Sequence, residues 1–109
     1  MDDYKVKITP QANAQMLEIF RYIRDDLSEM TVAEKLIDEL EKNILSLSFM
    51  PNRIALVDVQ PWKNHGIHKM VVKNFLVYFW VNEEQKEVHI TAVVYGKRDQ
   101  FEQLRQMDL

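Results

Sequence analysis

Residues 75–81 read Phe75-Leu76-Val77-Tyr78-Phe79-Trp80-Val81, an apolar run with no polar position inside it. A strand of that composition has neither face suited to water, so the pattern predicts a central strand packed on both sides. Residues 82–86 are polar and read as a turn, and residues 87–95 form a second apolar stretch that ends in Gly96, Lys97, Arg98 and Asp99. Together they predict a β-hairpin whose second strand delivers two adjacent cations at the point where it leaves the sheet.

The rest of the chain is read by how it covers this hairpin. Tyr4, Val6 and Ile8 alternate with Lys5, Lys7 and Thr9, the period-two pattern of a half-buried strand. Thr9-Pro10 then announces a helix, because threonine can accept from the free amides of a first turn and proline tolerates the first helical position. Ala12, Met16, Ile19, Phe20, Ile23 and Leu27 form one apolar face of that helix, opposite Gln15, Glu18, Arg21 and Asp25. Thr31 and Glu34 have capping-box spacing and predict a second helix, with Ala33, Leu36, Ile37, Leu40, Ile44 and Leu47 as its buried stripe. The short link implies an antiparallel helical hairpin.

Residues 49–52 end the second helix. Residues 54–57 read as either a short strand or a packed turn, and residues 61–66 as an exposed loop. Residues 67–72 are strand-like, with Lys73-Asn74 as a tight turn in which asparagine would take the left-handed conformation. Residues 100–107 are weakly helical. Two amphipathic helices with no other partner should pack together across one face of the sheet. The expected fold is therefore α+β and two-layer: a helical hairpin on an antiparallel-rich sheet, in the order β-α-α-β-β-β with a short C-terminal helix.

Composition narrows the classes. The chain has 109 residues, 47% of them hydrophobic, which suits a single compact domain over residues 1–109. It has no cysteine, so disulfides and thiolate metal sites are excluded and a reducing cytoplasm is the expected location. The start of the chain is acidic and no apolar run is long enough to span a bilayer, so neither a signal peptide nor a membrane partner is expected. A formal net charge of −3 argues against indiscriminate nucleic-acid binding. The charge is uneven, however. Eight acids face three bases between Glu18 and Glu41, whereas Arg53 to Lys73 holds four bases, two histidines and one acid. A basic sheet side beside an acidic helical side is expected.

Candidate residues follow from that asymmetry. Lys97 and Arg98 are either solvated charges at a strand end or the cations of a site. His68 and Lys69 are adjacent on one strand, so at most one of them joins any given site. His89 reads as an outward strand residue, since no second ligand stands at metal spacing on its segment. Trp62, with Lys63 and His65, either plugs a core edge or stacks on a base. Arg53 either braces the loop to an acidic helix residue or faces a partner. Neither glycine stands in a nucleotide-cradling motif, and no cofactor or metal is expected.

The segments 4–10, 45–53, 66–79 and 88–99, in that order, resemble the RelE/ParE toxins of bacterial type II toxin–antitoxin pairs, the closing strand with Gly96-Lys97-Arg98-Asp99 most specifically. The resemblance implies a growth-arresting protein neutralised by a cognate antitoxin, which alone would contact DNA. It implies one of two mechanisms. RelE-like members cleave messenger RNA on the translating ribosome without a metal, using an arginine in the central strand, one after the last strand, lysines on the preceding strand and a C-terminal tyrosine or histidine. Here Arg98 and Lys97 match the end of the last strand and Lys69 the preceding one, but Leu76 stands for the central arginine. The tail after Arg98 holds Phe101 and no tyrosine or histidine. ParE-like members inhibit DNA gyrase, and their hydrophobic central strand is similar to residues 74–79. The arginine usual in that branch just before residues 69–72 is His68 in this chain. The resemblance therefore favours gyrase binding, with Arg53, His68, Lys97 and Arg98 as contact residues for target or antitoxin. If the protein is an enzyme, it is a metal-independent endoribonuclease using Arg98, Lys97, Lys69 and His68. A third expectation is a non-toxic paralogue that only binds an antitoxin.

Overall fold

The computed structural model describes residues 3–26, 30–73 and 75–95. Strand β1 (Lys5–Ile8) leads into helix α1 (Pro10–Arg21), which runs on as a π-helical turn over Tyr22–Asp26. Helix α2 (Met30–Leu45) is followed by two short 3-10 turns, Ser46–Ser48 and Pro51–Arg53. Strands β2 (His68–Val72), β3 (Phe75–Asn82) and β4 (Glu87–Tyr95) complete the described elements. The fold is α+β, with two helices on a four-stranded mixed sheet of order β1-β4-β3-β2. The expected C-terminal helix lies outside the described residues.

The first helix begins where the sequence places it. Thr9 is extended, its hydroxyl accepts from the amide of Ala12 at 3.2 Å, and Pro10 occupies the first position. Met30 and Thr31 are both already helical in α2, so Thr31 lies within the helix instead of capping it. Leu47, expected on the second helix, is buried from the 3-10 turn that continues it. In the turn after β2 Lys73 takes a left-handed conformation, at φ 55°, and Asn74, expected to do so, lies outside the described residues.

The β3–β4 hairpin forms as expected and fills the middle of the sheet, while β1 joins β4 in parallel with Val6 beside Val88 and Ile8 beside Ile90. A bulge sets the two faces. Phe79 pairs with Ile90 but Tyr78 with Ala92, so Thr91 is the extra residue, its hydroxyl donating to the Tyr78 carbonyl at 3.2 Å. Val88 and Ile90 before the bulge and Val93 after it can thereby all face the helices, with Phe75, Val77 and Phe79 from β3 and Met70 and Val72 from β2. Leu76, Tyr78, Ala92 and Val94 face the opposite side.

That opposite side has its own cover. Residues 57–67, which were expected to be an exposed loop in part, fold back so that Val57, Trp62 and Ile67 pack on Leu76, Tyr78, Ala92 and Val94. The cover is anchored to the sheet's edge: Leu56 bridges His68, the Val57 amide donates to Ile67, and the Lys69 amide donates to Ala55. Residues 54–57 thus behave as a fragment of a fifth strand. Both faces of β3 are packed, the helix side by two helices and the other side by an eleven-residue segment, 57–67.

Candidate functional site

The face away from the helices is where a strand end, the neighbouring strand and the cover meet. Lys69 and Val71 lie on it, opposite Tyr78 and Leu76 of β3. Both are exposed. Lys63 and His65 are exposed on the cover itself. Lys97 and Arg98, the cations expected at the end of β4, lie outside the described residues, which stop at Tyr95.

His68 is held elsewhere. It is 7% exposed on the helix side, with its ring stacked on Phe79 at a centroid distance of 4.8 Å and an interplanar angle of 7°. Its Nδ1 lies 2.7 Å from the Ile54 carbonyl, which can only accept, so Nδ1 carries the proton and donates. Strand alternation puts Lys69 on the opposite face, and the two residues do not share a site.

Arg53 closes a turn. Its guanidinium donates to the carbonyls of Phe49 and of Met50, the latter at 3.0 Å, and to Ser46 Oγ at 3.1 Å. Those bonds stabilise Met50 in a left-handed conformation, φ 48°, that costs a non-glycine side chain about 1 kcal/mol. The brace is thus to backbone carbonyls and a hydroxyl where an acidic helix residue was expected.

Leu76, which the resemblance sets against the central-strand arginine of RelE-like members, is 8% exposed beneath the cover. Trp62, at 9% exposure, is the plug of a core edge and presents no free ring for stacking. Tyr78 beside it is buried, and burial raises its phenol above the usual tyrosine range. The middle of this face is dry and apolar.

One cluster escaped the sequence reading. Lys7 Nζ lies 2.7 Å from Glu87 Oε2, His89 Nε2 lies 3.1 Å from Glu87 Oε1, and Trp80 stacks on His89 at 4.4 Å and 8°. The Lys7 bond first, and the His89 bond after it, hold the Glu87 carboxyl below its ordinary range. The signal was present only in part: Glu87 lies two residues from His89 on the same face, but the turn is 83–86 where 82–86 was expected, and that one-residue difference is what pairs Trp80 with His89 across the hairpin. A similar knot ties the turn to the N-terminal strand. Tyr4 donates to Glu83 Oε2 at 2.7 Å and Asn52 to Oε1 at 2.6 Å, and these bonds, Tyr4 foremost, lower the Glu83 carboxyl. Among the described residues no group of three or more histidine, aspartate or glutamate side chains is placed to hold a metal.

A helical hairpin on one face of a four-stranded mixed sheet is the architecture of the RelE/ParE class of small toxin folds. Solved structures agree. The chromosomal ParDE system from Pseudomonas aeruginosa matches with a TM-score of 0.70 at 19% identity, covering 87% of this chain and 98% of that one. The RelBE2 toxin–antitoxin complex from Mycobacterium tuberculosis matches at 0.59 and 17% identity, covering 87% and 93%. A variant of the Escherichia coli toxin RelE in the free state matches at 0.58 and 14% identity, covering 95% and 97%. No curated protein matches the chain in sequence. The family profile described as ParE toxin of type II toxin-antitoxin system, parDE, matches residues 6–100. The chain belongs to the ParE toxin family.

Proposed function

We propose that this protein arrests growth by binding a macromolecular target, with DNA gyrase favoured, and that a cognate antitoxin holds it inactive in the cytoplasm. The observation that carries the choice of mechanism is Leu76, packed under Val57, Trp62 and Ile67. Metal-free RNA cleavage needs a base, a cation at the phosphate and an acid within hydrogen-bond reach of one another. Here the middle of the face is filled with apolar side chains, and His68 has its ring in the helix-side core with Nδ1 engaged. Binding asks only for a shaped surface. The antitoxin partnership is supported by the family and by relatives that are themselves toxin–antitoxin systems.

A ribosome-dependent nuclease is the second reading, and Lys69 favours it. It is exposed on the sheet face where a lysine of the preceding strand would approach a phosphate, and Lys97 and Arg98 would be its companions. The experiment separates the readings directly. Purified protein is expected to inhibit gyrase supercoiling and to leave messenger RNA on translating ribosomes intact. Codon-dependent cleavage lost on Arg98→Ala would reverse the order. Normal growth at confirmed expression would leave only the antitoxin-binding paralogue.

A further inference from the structure

Among the described residues, the outer edge of β2 is closed for only part of its length. The Ile67 carbonyl and the Lys69 amide point away from β3, toward Val57 and Ala55. Backbone direction alternates along a strand, so the Val71 amide and carbonyl point the same way. The strand fragment that would have met them turns off at Pro51–Arg53, and no described residue pairs with them. Val71 is also 65% exposed. An edge with open backbone groups and a bare apolar side chain is a template for an added strand.

Charge says what kind of strand. Lys69 shares the face of Val71 and lies two positions away, about 7 Å along the strand, and Lys73 is exposed in the turn that follows. Between Pro51 and Lys73 four bases stand against one acid, Asp58, which lies 3.7 Å from Lys63. The helical layer carries the opposite sign, with Glu18, Glu34, Asp38 and Glu41 exposed on it. A second copy of this chain would meet β2 with the same lysines and be repelled. Nucleic acid fits less well, because an exposed valine at the centre of the patch has nothing to gain from a phosphate backbone. An apolar centre with a cationic rim suits a protein.

We infer that β2 beyond Lys69 is a docking edge for an extended acidic segment of a protein partner. The segment pairs with the Val71 backbone, lays an apolar side chain on Val71 and sets carboxylates against Lys69 and Lys73. The inference rests on the reading above only in taking the toxin's target to be a protein surface. Its test is independent of that target. Isotope-labelled protein made by cell-free synthesis is titrated with a short synthetic peptide of alternating glutamate and valine, and with single- and double-stranded DNA oligonucleotides.

The peptide is expected to shift the amides of residues 69–73, to slow exchange of the Val71 amide, and to bind more weakly as salt is raised. Lys69→Glu and Val71→Asp should each weaken it about tenfold, which is a change of about 1.4 kcal/mol, while the rest of the amide spectrum stays that of the folded protein. Four results would overturn the inference: shifts confined to the helices or to β1, no shift at millimolar peptide, DNA displacing the peptide from the same residues, or a Val71 amide already protected before peptide is added. A protein that binds the peptide at Val71 yet leaves gyrase untouched loses the target proposed above and keeps this edge.

Discussion

His68 and Lys69 are neighbours in the chain and have opposite fates. His68 donates from Nδ1 to a carbonyl and stacks on Phe79 inside the helix-side core. Lys69 stands on the other face in water. His68→Leu removes the donor and leaves the Ile54 carbonyl short of a partner, so a loss of about 1–3 kcal/mol is expected in urea unfolding. Lys69→Ala should change stability by less than about 0.5 kcal/mol. An equal response from the two would contradict the placement of His68. Trp62 is the other residue whose role the packing decides. Trp62→Ala empties the contact with Leu76 and Tyr78, and the unfolding midpoint should fall by an amount corresponding to about 3 kcal/mol. A change near zero would mean that the cover does not rest on the sheet in solution.

At the scale of elements, β4 is longer than the strand that covers it. Strand β1 pairs with β4 only as far as Ile90, and Thr9 then turns into α1. Beyond the bulge the Val93 amide faces the vacated edge, and Gln15 of α1 accepts from it at 2.8 Å. A helix side chain thus completes a strand's hydrogen bonding where the neighbouring strand has ended. Gln15→Leu should leave that amide unsatisfied, at a cost of about 1–2 kcal/mol, and speed Val93 exchange far more than exchange in β2. The strands, the two helices and the Thr9-Pro10 start were legible because their periods and caps are local. Residues 54–67 were not. Their apolar positions, Val57, Val59, Trp62 and Ile67, follow neither period, since they are spaced to fit a sheet face that the local sequence does not contain.

For the whole molecule, two carboxylates fasten the β3–β4 turn end of the sheet to its N-terminal edge. Glu83 is bound by Tyr4 and Asn52, and Glu87 by Lys7 and His89. Both carboxyls titrate below their ordinary value of 4.5 in the folded state. The sign follows by linkage: the unfolded chain takes up these protons first as pH falls, so the stabilisation is full above the ordinary carboxylate range and disappears as pH drops through the lowered folded values. The urea midpoint should therefore decline on acidification below that range, and a variant carrying both Glu83→Gln and Glu87→Gln should decline less steeply. Parallel profiles for wild type and variant would remove these two groups from the acid response. Because the bonds to Glu83 are exposed, high salt should shrink its share of the difference, and less so that of Glu87, whose side chain is only 13% exposed.

The two amphipathic helices, the greasy hairpin and the α+β layering were legible in the chain because each rests on side-chain periodicity along a single stretch, and the family because four motif segments stand in order. Tertiary packing was needed to show that a separate segment seals the face above Leu76, that His68 belongs to the core, that Arg53 closes its own turn, and that no described residue pairs with the edge of β2 past Lys69. Those outcomes depend on which distant segments meet and on a one-residue bulge that sets what each strand position faces. A local pattern constrains which side of an element is apolar; it carries no record of what comes to rest against that side.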